Sequence, residues 1–147
     1  GISIINKLTE LDHQKLNGIQ VHRSLGRYLY HGVIALAKNH NNKVVCVGNS
    51  SSGIKETAIF GCPTVNIGQR QDGRLRSNNI IDVSYESIKI FNAINKCIKD
   101  KTFKKKCIKS KNVYGGGDTG KKIVNFIEKL NFDKKKIIIK KFKWVLN

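Results

Sequence analysis

KVVCVGNSSSGIKETAIFGCPTVNIG, residues 43–68, is the stretch that decides the fold of this chain. Residues 43–47 form a largely apolar run with three β-branched valines, which is typical of a strand buried on both faces. The run ends at the small-residue loop Gly48-Asn49-Ser50-Ser51-Ser52-Gly53, where a serine can cap a helix that reaches Phe60. A second apolar strand, Thr64–Ile67, follows. This order predicts a right-handed βαβ unit and a parallel sheet.

The flanking sequence extends the alternation of strands and helices. We expect strands at Ile19–His22 and Ile80–Val83, and helices at Arg27–Lys38, Tyr85–Lys99, Lys101–Lys109 and from Asp118 or Thr119 to about Leu130. The last helix has an apolar stripe that should be buried, made of Ile123, Phe126, Ile127 and Leu130. The fold class is therefore α/β, a parallel sheet flanked by helices.

Length and composition favour one intracellular domain. The chain has 147 residues, of which 39% are hydrophobic, enough for a single core. No apolar run approaches the roughly 20 residues that span a bilayer, and the N-terminus does not resemble a signal peptide. We therefore expect a cytoplasmic protein without a membrane partner. Four cysteines without a CxxC pair predict reduced, mostly buried thiols, namely Cys46, Cys62, Cys97 and Cys107.

The net charge of +18 leaves two interpretations open. A basic domain attracts phosphate, so nucleic-acid binding is an alternative function. The other interpretation is compositional, because Lys, Asn and Ile dominate the whole chain. The lysines cluster late, as in 104–106 and 134–136, without the interleaved aromatic side chains of a single-strand binder. We expect no nucleic-acid partner.

Four histidines recur every nine residues, at His13, His22, His31 and His40. Nine residues turn a helix by about 900°, which puts successive positions on opposite faces, and an odd spacing does the same in a strand. The spacing fits no usual structural metal site. We predict no metal ion and no cofactor.

The loop Gly48–Gly53, called the serine loop below, is the first candidate site. In parallel sheets, ligands bind at the carboxyl ends of the strands. Backbone N–H groups and serine hydroxyls at a helix start favour an anion. The simpler alternative is that the serines only cap the helix. Glu56, about one turn inside that helix, should be repelled by phosphate and so favours hydroxyls such as a ribose diol; it could also merely compensate the helix dipole.

The loop Gly68–Arg76, called the arginine loop below, is the second candidate site. It follows a predicted strand and contains Arg70, Arg74 and Arg76, whose guanidinium groups can bind a diphosphate bidentately. A solvated basic loop is the alternative. The chain has neither a GxxxxGK[ST] loop nor GxGxxG, so hydrolysis by a P-loop enzyme and dinucleotide binding are not supported.

The run GNSSSGIKETAIFGCPTVNIGQRQDGRLR, residues 48–76, resembles the UDP-N-acetylglucosamine 2-epimerases, especially the hydrolysing type of sialic-acid and nonulosonic-acid synthesis. Further similarity lies in Arg23-Ser24-Leu25-Gly26 and in residues 112–117. The resemblance covers about residues 17 to 130. It implies a GT-B fold, of which this chain is the Rossmann-like, UDP-binding C-terminal half (1–132), followed by a basic tail (133–147).

The resemblance also implies the roles of site residues. Ser50 and Ser51 would bind the diphosphate, Glu56 the ribose hydroxyls, and Arg70 the phosphates or the departing UDP. Secondary candidates in the same motifs are Gly48, Asn49, Ser52, Gln71 and Arg74. The implied chemistry is loss of UDP through a glycal-like intermediate, followed by addition of water to give N-acetylmannosamine.

We expect the catalytic acids and bases in an N-terminal part of the family's fold, outside this sequence, and no catalytic residue in the chain itself. The chain is thus interpreted as a fragment that is inactive alone. Its expected partners are a UDP-sugar substrate and the missing N-terminal domain, and the full-length protein could form a homodimer. A GT-B glycosyltransferase that uses the same UDP-binding half is the alternative enzyme.

Overall fold

Three parallel strands form a sheet in the part of the chain that the structure, a computed structural model, describes, residues 1–39 and 41–130. The strands lie in the order β1 (Cys46–Gly48), β2 (Thr64–Ile67) and β3 (Ile80–Val83). Val65 of β2 pairs with Val47 on one side and with Ile81 on the other. The arrangement confirms the α/β prediction and is consistent with a Rossmann-like half of a GT-B fold.

Helices precede, connect and follow the strands. They are α1 (Ile2–His13), α2 (Gly26–Ala35), α3 (Ser51–Lys55), α4 (Ser87–Lys99), α5 (Lys101–Ile108) and α6 (Thr119–Glu128). A 3₁₀ turn, Leu36–Lys38, continues α2, and a second, Thr57–Phe60, follows α3. The chain divides into two compact units, 1–113 and 114–147, and α6 belongs to the second. The predicted boundary between 132 and 133 and the basic tail lie outside the described residues.

Glycine and proline set several element ends where the sequence predicts them. The bounds of β2 and β3 agree with the prediction, and the predicted helix that ends at Phe60 consists of α3 and its 3₁₀ turn. Gly61 ends that turn in the left-handed conformation, at φ 62°. A Cβ at Gly61 would lie 2.9 Å from the Cα of Ile108, so a larger residue would displace α5.

The two faces of the sheet are covered by different helices. Val65, fully buried, packs with Ala93 and Cys97 of α4. Ile34 of α2 packs in a second cluster with Cys62. Successive residues of a strand point to opposite faces, and Cys46, which contacts the second cluster, pairs with Thr64 rather than with Val65. The clusters therefore lie on opposite faces.

The thiols agree with the sequence prediction. All four cysteines are free, and three are buried, while Cys46 is half-buried. Burial raises the pKa of Cys62 and of Cys107 to about 12 and that of Cys97 to about 11. At neutral pH these side chains are protonated members of the core.

A buried hydrogen-bond network links the α3 region, which comprises α3 and the 3₁₀ turn that follows it, to β2 and to the residue before β3. The Thr57 hydroxyl donates to the Gly53 carbonyl over 2.6 Å and accepts from Thr64 Oγ1 over 2.8 Å. Asn79 Nδ2 donates to Thr57 Oγ1 over 2.9 Å and to the Cys62 carbonyl over 2.7 Å. Thr57 and Asn79 are fully buried, so this network fixes α3 against the sheet.

Three burial and strand predictions are wrong. Residues 19–22 are outside the sheet, because β1 pairs only with β2 among the described residues and Ile19–His22 has no strand to bond with. For the same reason the run 43–47 is not buried on both faces: Val47, at the sheet edge, is 43% exposed. The predicted α6 stripe is 39 to 65% exposed, because the described part of its unit offers no second layer to pack on.

Helix α1 is the element that the sequence analysis missed. Its apolar side chains are largely exposed, with Ile2, Ile5 and Leu8 at 77, 62 and 46%. No helix in residues 1–39 or 41–130 is long and apolar enough to cross a membrane.

Candidate functional site

The serine loop caps a short helix. Ser50 is the N-cap of α3, and its Oγ accepts a hydrogen bond from the Ser52 N–H over 3.4 Å. The Ser50 and Ser52 hydroxyls are 3.0 Å apart. Ser51 begins the helix and is half-buried. Since α3 has only five residues, its dipole is weaker than the predicted longer helix would give.

The loop after β2 is tied to the loop after β1. Arg70 Nη1 donates to the Asn49 carbonyl over 3.0 Å, and Gln71 Nε2 donates to the same oxygen over 2.7 Å. Arg70 is exposed, whereas Gln71 is only 2% exposed. The two loops therefore lie side by side, and the carbonyl oxygen of Asn49 is the atom that joins them.

The arginines of the second loop have different environments. Arg76 Nε donates to both carboxylate oxygens of Asp82, at 3.2 and 3.0 Å, and its Nη1 donates to the carbonyls of Gln71 and Arg74. The prediction that Arg76 is available for a diphosphate is therefore wrong, because its guanidinium already holds the loop together. Arg74 is exposed and joins these contacts through its backbone.

Two glycines shape the ends of the strands at this edge. Gly48, the last residue of β1, has φ 149°, and Gly68, the first residue after β2, has φ 71°. A Cβ at Gly68 would overlap the ring of Tyr85. Gly68 also donates its N–H to the Val83 carbonyl over 2.8 Å, which fixes the start of the arginine loop on β3.

A cleft of about 690 Å³ opens between α2 and the α3 region. Its polar lining includes Ser52 and Glu56 from one side and Arg27 and His31 from α2. Apolar side chains complete the wall, namely Leu25, Ile59 and Phe60. Of the predicted site residues, Ser52 and Glu56 reach this cleft, and Ser50 is one hydrogen bond away from Ser52.

Glu56 has a partner that the sequence analysis missed. His31 Nε2 lies 2.7 Å from Glu56 Oε2, and the two side chains are 31 and 40% exposed. They are 25 residues apart in the chain, so no local spacing indicates the contact. Among the described residues, no group of three or more His, Cys, Asp or Glu side chains is placed to hold a metal ion.

Tyr30 supports the serine loop from α2. Its hydroxyl donates to Ser52 Oγ over 3.3 Å and lies 3.9 Å from Cys46 Sγ. Burial is the main cause that raises the pKa of Tyr30 to about 12. The hydroxyl therefore stays protonated at neutral pH and remains a donor to Ser52.

The sequence has recognisable relatives. A model of the family described as UDP-N-acetylglucosamine 2-epimerase matches residues 3–128. A UDP-N-acetylglucosamine 2-epimerase of Neisseria meningitidis is 35% identical over 85 residues, which are 58% of this chain and 21% of that protein. A UDP-N,N'-diacetylbacillosamine 2-epimerase (hydrolyzing) of Legionella pneumophila is 39% identical over 87 residues, 59% of this chain and 22% of that protein.

A third relative is shorter in its match but closer in sequence. A GDP/UDP-N,N'-diacetylbacillosamine 2-epimerase (hydrolyzing) of Campylobacter jejuni is 48% identical over 59 residues, 40% of this chain and 14% of that protein. The matches thus span about a fifth of the length of these relatives or less. Since the family model covers most of the chain and the fold agrees with it, the chain belongs to the UDP-N-acetylglucosamine 2-epimerase family.

Proposed function

We propose that this chain binds the UDP portion of UDP-N-acetylglucosamine in a hydrolysing 2-epimerase. One observation is the main support: Ser52 and Glu56 open into the same cleft at the carboxyl end of β1, while Arg70 is held on the neighbouring Asn49. Side chains that can bind a diphosphate and a side chain that can bind a diol thus lie together at the carboxyl ends of the strands, as recognition of a nucleoside diphosphate requires.

The proposed contacts follow from charge. The diphosphate lies against the hydroxyls of Ser50 and Ser51 and the guanidinium of Arg70, which bind anionic oxygens. Glu56, as a carboxylate, accepts hydrogen bonds from ribose hydroxyls and is kept away from the phosphates. Arg70 also stabilises the negative charge that develops on UDP as its bond to the sugar breaks.

The proposed reaction consumes one water. A base removes the proton from C2 of the sugar while the C1–O bond to UDP breaks, giving a glycal-like intermediate. Water then adds across the double bond, and N-acetylmannosamine and UDP are released. Two of the relatives carry the word "hydrolyzing" in their names, which supports this type. The family assignment favours it over a glycosyltransferase.

The acids and bases of this reaction are proposed to lie in an N-terminal domain that completes the cytoplasmic enzyme, with a homodimer as the assembled form. By itself the chain is expected to bind UDP weakly and to turn over no UDP-N-acetylglucosamine. Carboxylate pairs for proton transfer are absent around the serine loop in the sequence.

Calorimetric titration of UDP into the purified chain tests the binding role. Ser51→Ala, Glu56→Ala and Arg70→Ala should each weaken binding by about tenfold, the size of a lost hydrogen bond to a charged group. Glu86→Ala and Lys89→Ala, an exposed ion pair at the start of α4, are matched controls and should bind as wild type does. Equal affinity of all variants would refute the site.

The nucleic-acid alternative has its own test. Binding to a random DNA duplex would weaken steeply with salt, because phosphate contacts release counterions. We expect no specific binding at physiological salt. A steep salt slope together with failure to bind UDP would favour the alternative.

A further inference from the structure

The His31 ring packs against two other aromatic rings. Its centroid is 5.7 Å from that of Tyr30 and 5.1 Å from that of Phe60, with tilted planes in both contacts. His31 lines the cleft from α2 and contacts Glu56, which also lines it, over 2.7 Å. A packed ring has few rotamers left, so the position of Nε2 is fixed by the fold.

The contact with His31 uses one oxygen of the Glu56 carboxylate. Within residues 1–39 and 41–130, the hydrogen bonds to this carboxylate involve Oε2, at 2.7 Å from His31 Nε2. Oε1 is left for a ligand in the cleft. Without His31, the half-exposed Glu56 side chain would have several rotamers, and each ligand contact would cost conformational entropy.

We propose that His31 is a positioning residue that aims Glu56 at the ribose diol and so makes the cleft selective for ribonucleotides over 2′-deoxyribonucleotides. This inference rests on the proposed function. A fixed carboxylate oxygen accepts a hydrogen bond from the 2′-hydroxyl. In the deoxy ligand that hydroxyl is missing and the oxygen loses its partner, which lowers the affinity for the deoxy ligand. A carboxylate free to rotate turns to solvent and discriminates less.

The electrostatics of the cleft fit this role. Arg27 lines the same wall of α2, and the Nζ of Lys38 lies 5.8 Å from the Phe60 ring centroid. In this basic surrounding a free glutamate could turn toward a cation instead of the ligand. The hydrogen bond from His31 holds it at the cleft.

The test compares UDP with 2′-deoxy-UDP by calorimetry on the full chain. We expect wild type to prefer UDP by about tenfold. His31→Phe keeps the packed ring and removes the ring nitrogens, so it should bring the ratio close to one while the affinity for 2′-deoxy-UDP changes less than twofold. His31→Gln, which keeps a donor, should restore most of the preference. Tyr28→Phe, on the same helix at a residue 91% exposed, is the matched control.

The outcomes separate the two proposals. If wild type binds neither nucleotide, the proposed function fails and the role of His31 fails with it. If wild type prefers UDP and His31→Phe keeps that preference, only the positioning role is refuted. Equal weakening of both nucleotides in His31→Phe, without rescue by glutamine, would mean that His31 merely supports the fold and would also refute the inference.

Discussion

Gln71 donates its side-chain amide to the backbone carbonyl of Asn49 over 2.7 Å, and this bond fastens the arginine loop to the serine loop. Gln71→Ala should weaken UDP binding three- to tenfold, because Arg70 would share the Asn49 carbonyl with water instead of a buried amide. Calorimetry measures the affinity. Gln69→Ala, exposed in the same loop, is the control. Unchanged affinity of Gln71→Ala would show that the loops are joined by other contacts.

Arg70 and Arg76 should differ in what they support. Arg76→Ala removes two bonds to Asp82 and two to backbone carbonyls, and we expect about 1–2 kcal/mol lower free energy of unfolding. Arg70→Ala should leave the free energy of unfolding within about 0.5 kcal/mol while weakening UDP binding. Urea denaturation measures the first quantity. The reverse pattern would exchange the roles of the two side chains.

The network around Thr57 should be costly to break. Asn79→Ala removes the buried amide that donates to the Cys62 carbonyl and to the Thr57 hydroxyl, which then retain Thr64 Oγ1 as their donor. We expect the free energy of unfolding to fall by about 1–3 kcal/mol. Asn78→Ala is the adjacent control, exposed and bonded through its backbone N–H. Equal stability of the two variants would contradict the role of the network.

Thiol reactivity should follow burial. Alkylation of the native chain at pH 7.5, counted by mass spectrometry, should modify Cys46 first, because its side chain is half-buried and the other three are inaccessible. All four should react in denaturant. Rapid labelling of Cys62 or Cys107 under native conditions would mean that the core opens more readily than its packing indicates.

The free energy of unfolding should decrease as the pH rises into the alkaline range. The unfolded thiols titrate near pH 9.0, while the folded Cys62, Cys97 and Cys107 have pKa values of about 12, 11 and 12. Above pH 9 the unfolded chain therefore releases protons that the folded chain keeps. The stabilisation is complete below pH 9 and is lost as pH rises toward 11 and 12, with a limiting slope of about 1.4 kcal/mol per pH unit for each thiol.

Urea denaturation at pH 8, 9 and 10 measures that slope. Cys97→Ala should be less stable at every pH but should show a shallower decline. A decline of the same steepness in this variant would assign the pH dependence to other groups.

The sequence predicts most elements of the sheet unit because their ends are chemically marked. Gly61 and Pro63 separate the α3 region from β2, and Gly68 ends β2, so the bounds of that strand follow from backbone chemistry. The wrong predictions concern features that depend on contacts between residues far apart in the sequence. Residues 19–22 have a strand-like pattern, but a strand exists only with a partner, and Val47 is exposed because β1 lies at an edge.

The candidate site is predicted only in part for a similar reason. Ser50 and Arg70 are in the loops that follow β1 and β2, and Glu56 ends the short helix α3, so strand topology brings all three toward the carboxyl ends of the strands. The pair of Glu56 with His31 depends on how α2 packs across the 3₁₀ turn, which spacing does not encode. Arg76 shows the opposite case, in which the residue type fits a phosphate ligand but a tertiary contact with Asp82 already occupies it.

The arginine loop has firmly fixed ends and an exposed middle. Gly68 enters it where the Tyr85 ring leaves no room for a side chain, and Arg76 closes it with two hydrogen bonds to Asp82, whereas residues 72–75 are exposed. Insertions, deletions and exchanges in that middle can therefore accumulate without disturbing the core. Through such changes Arg70 and Gln71, on the Gly68 side of that middle, would keep their bonds to the Asn49 carbonyl, so the link between the two loops does not depend on the residues that follow it.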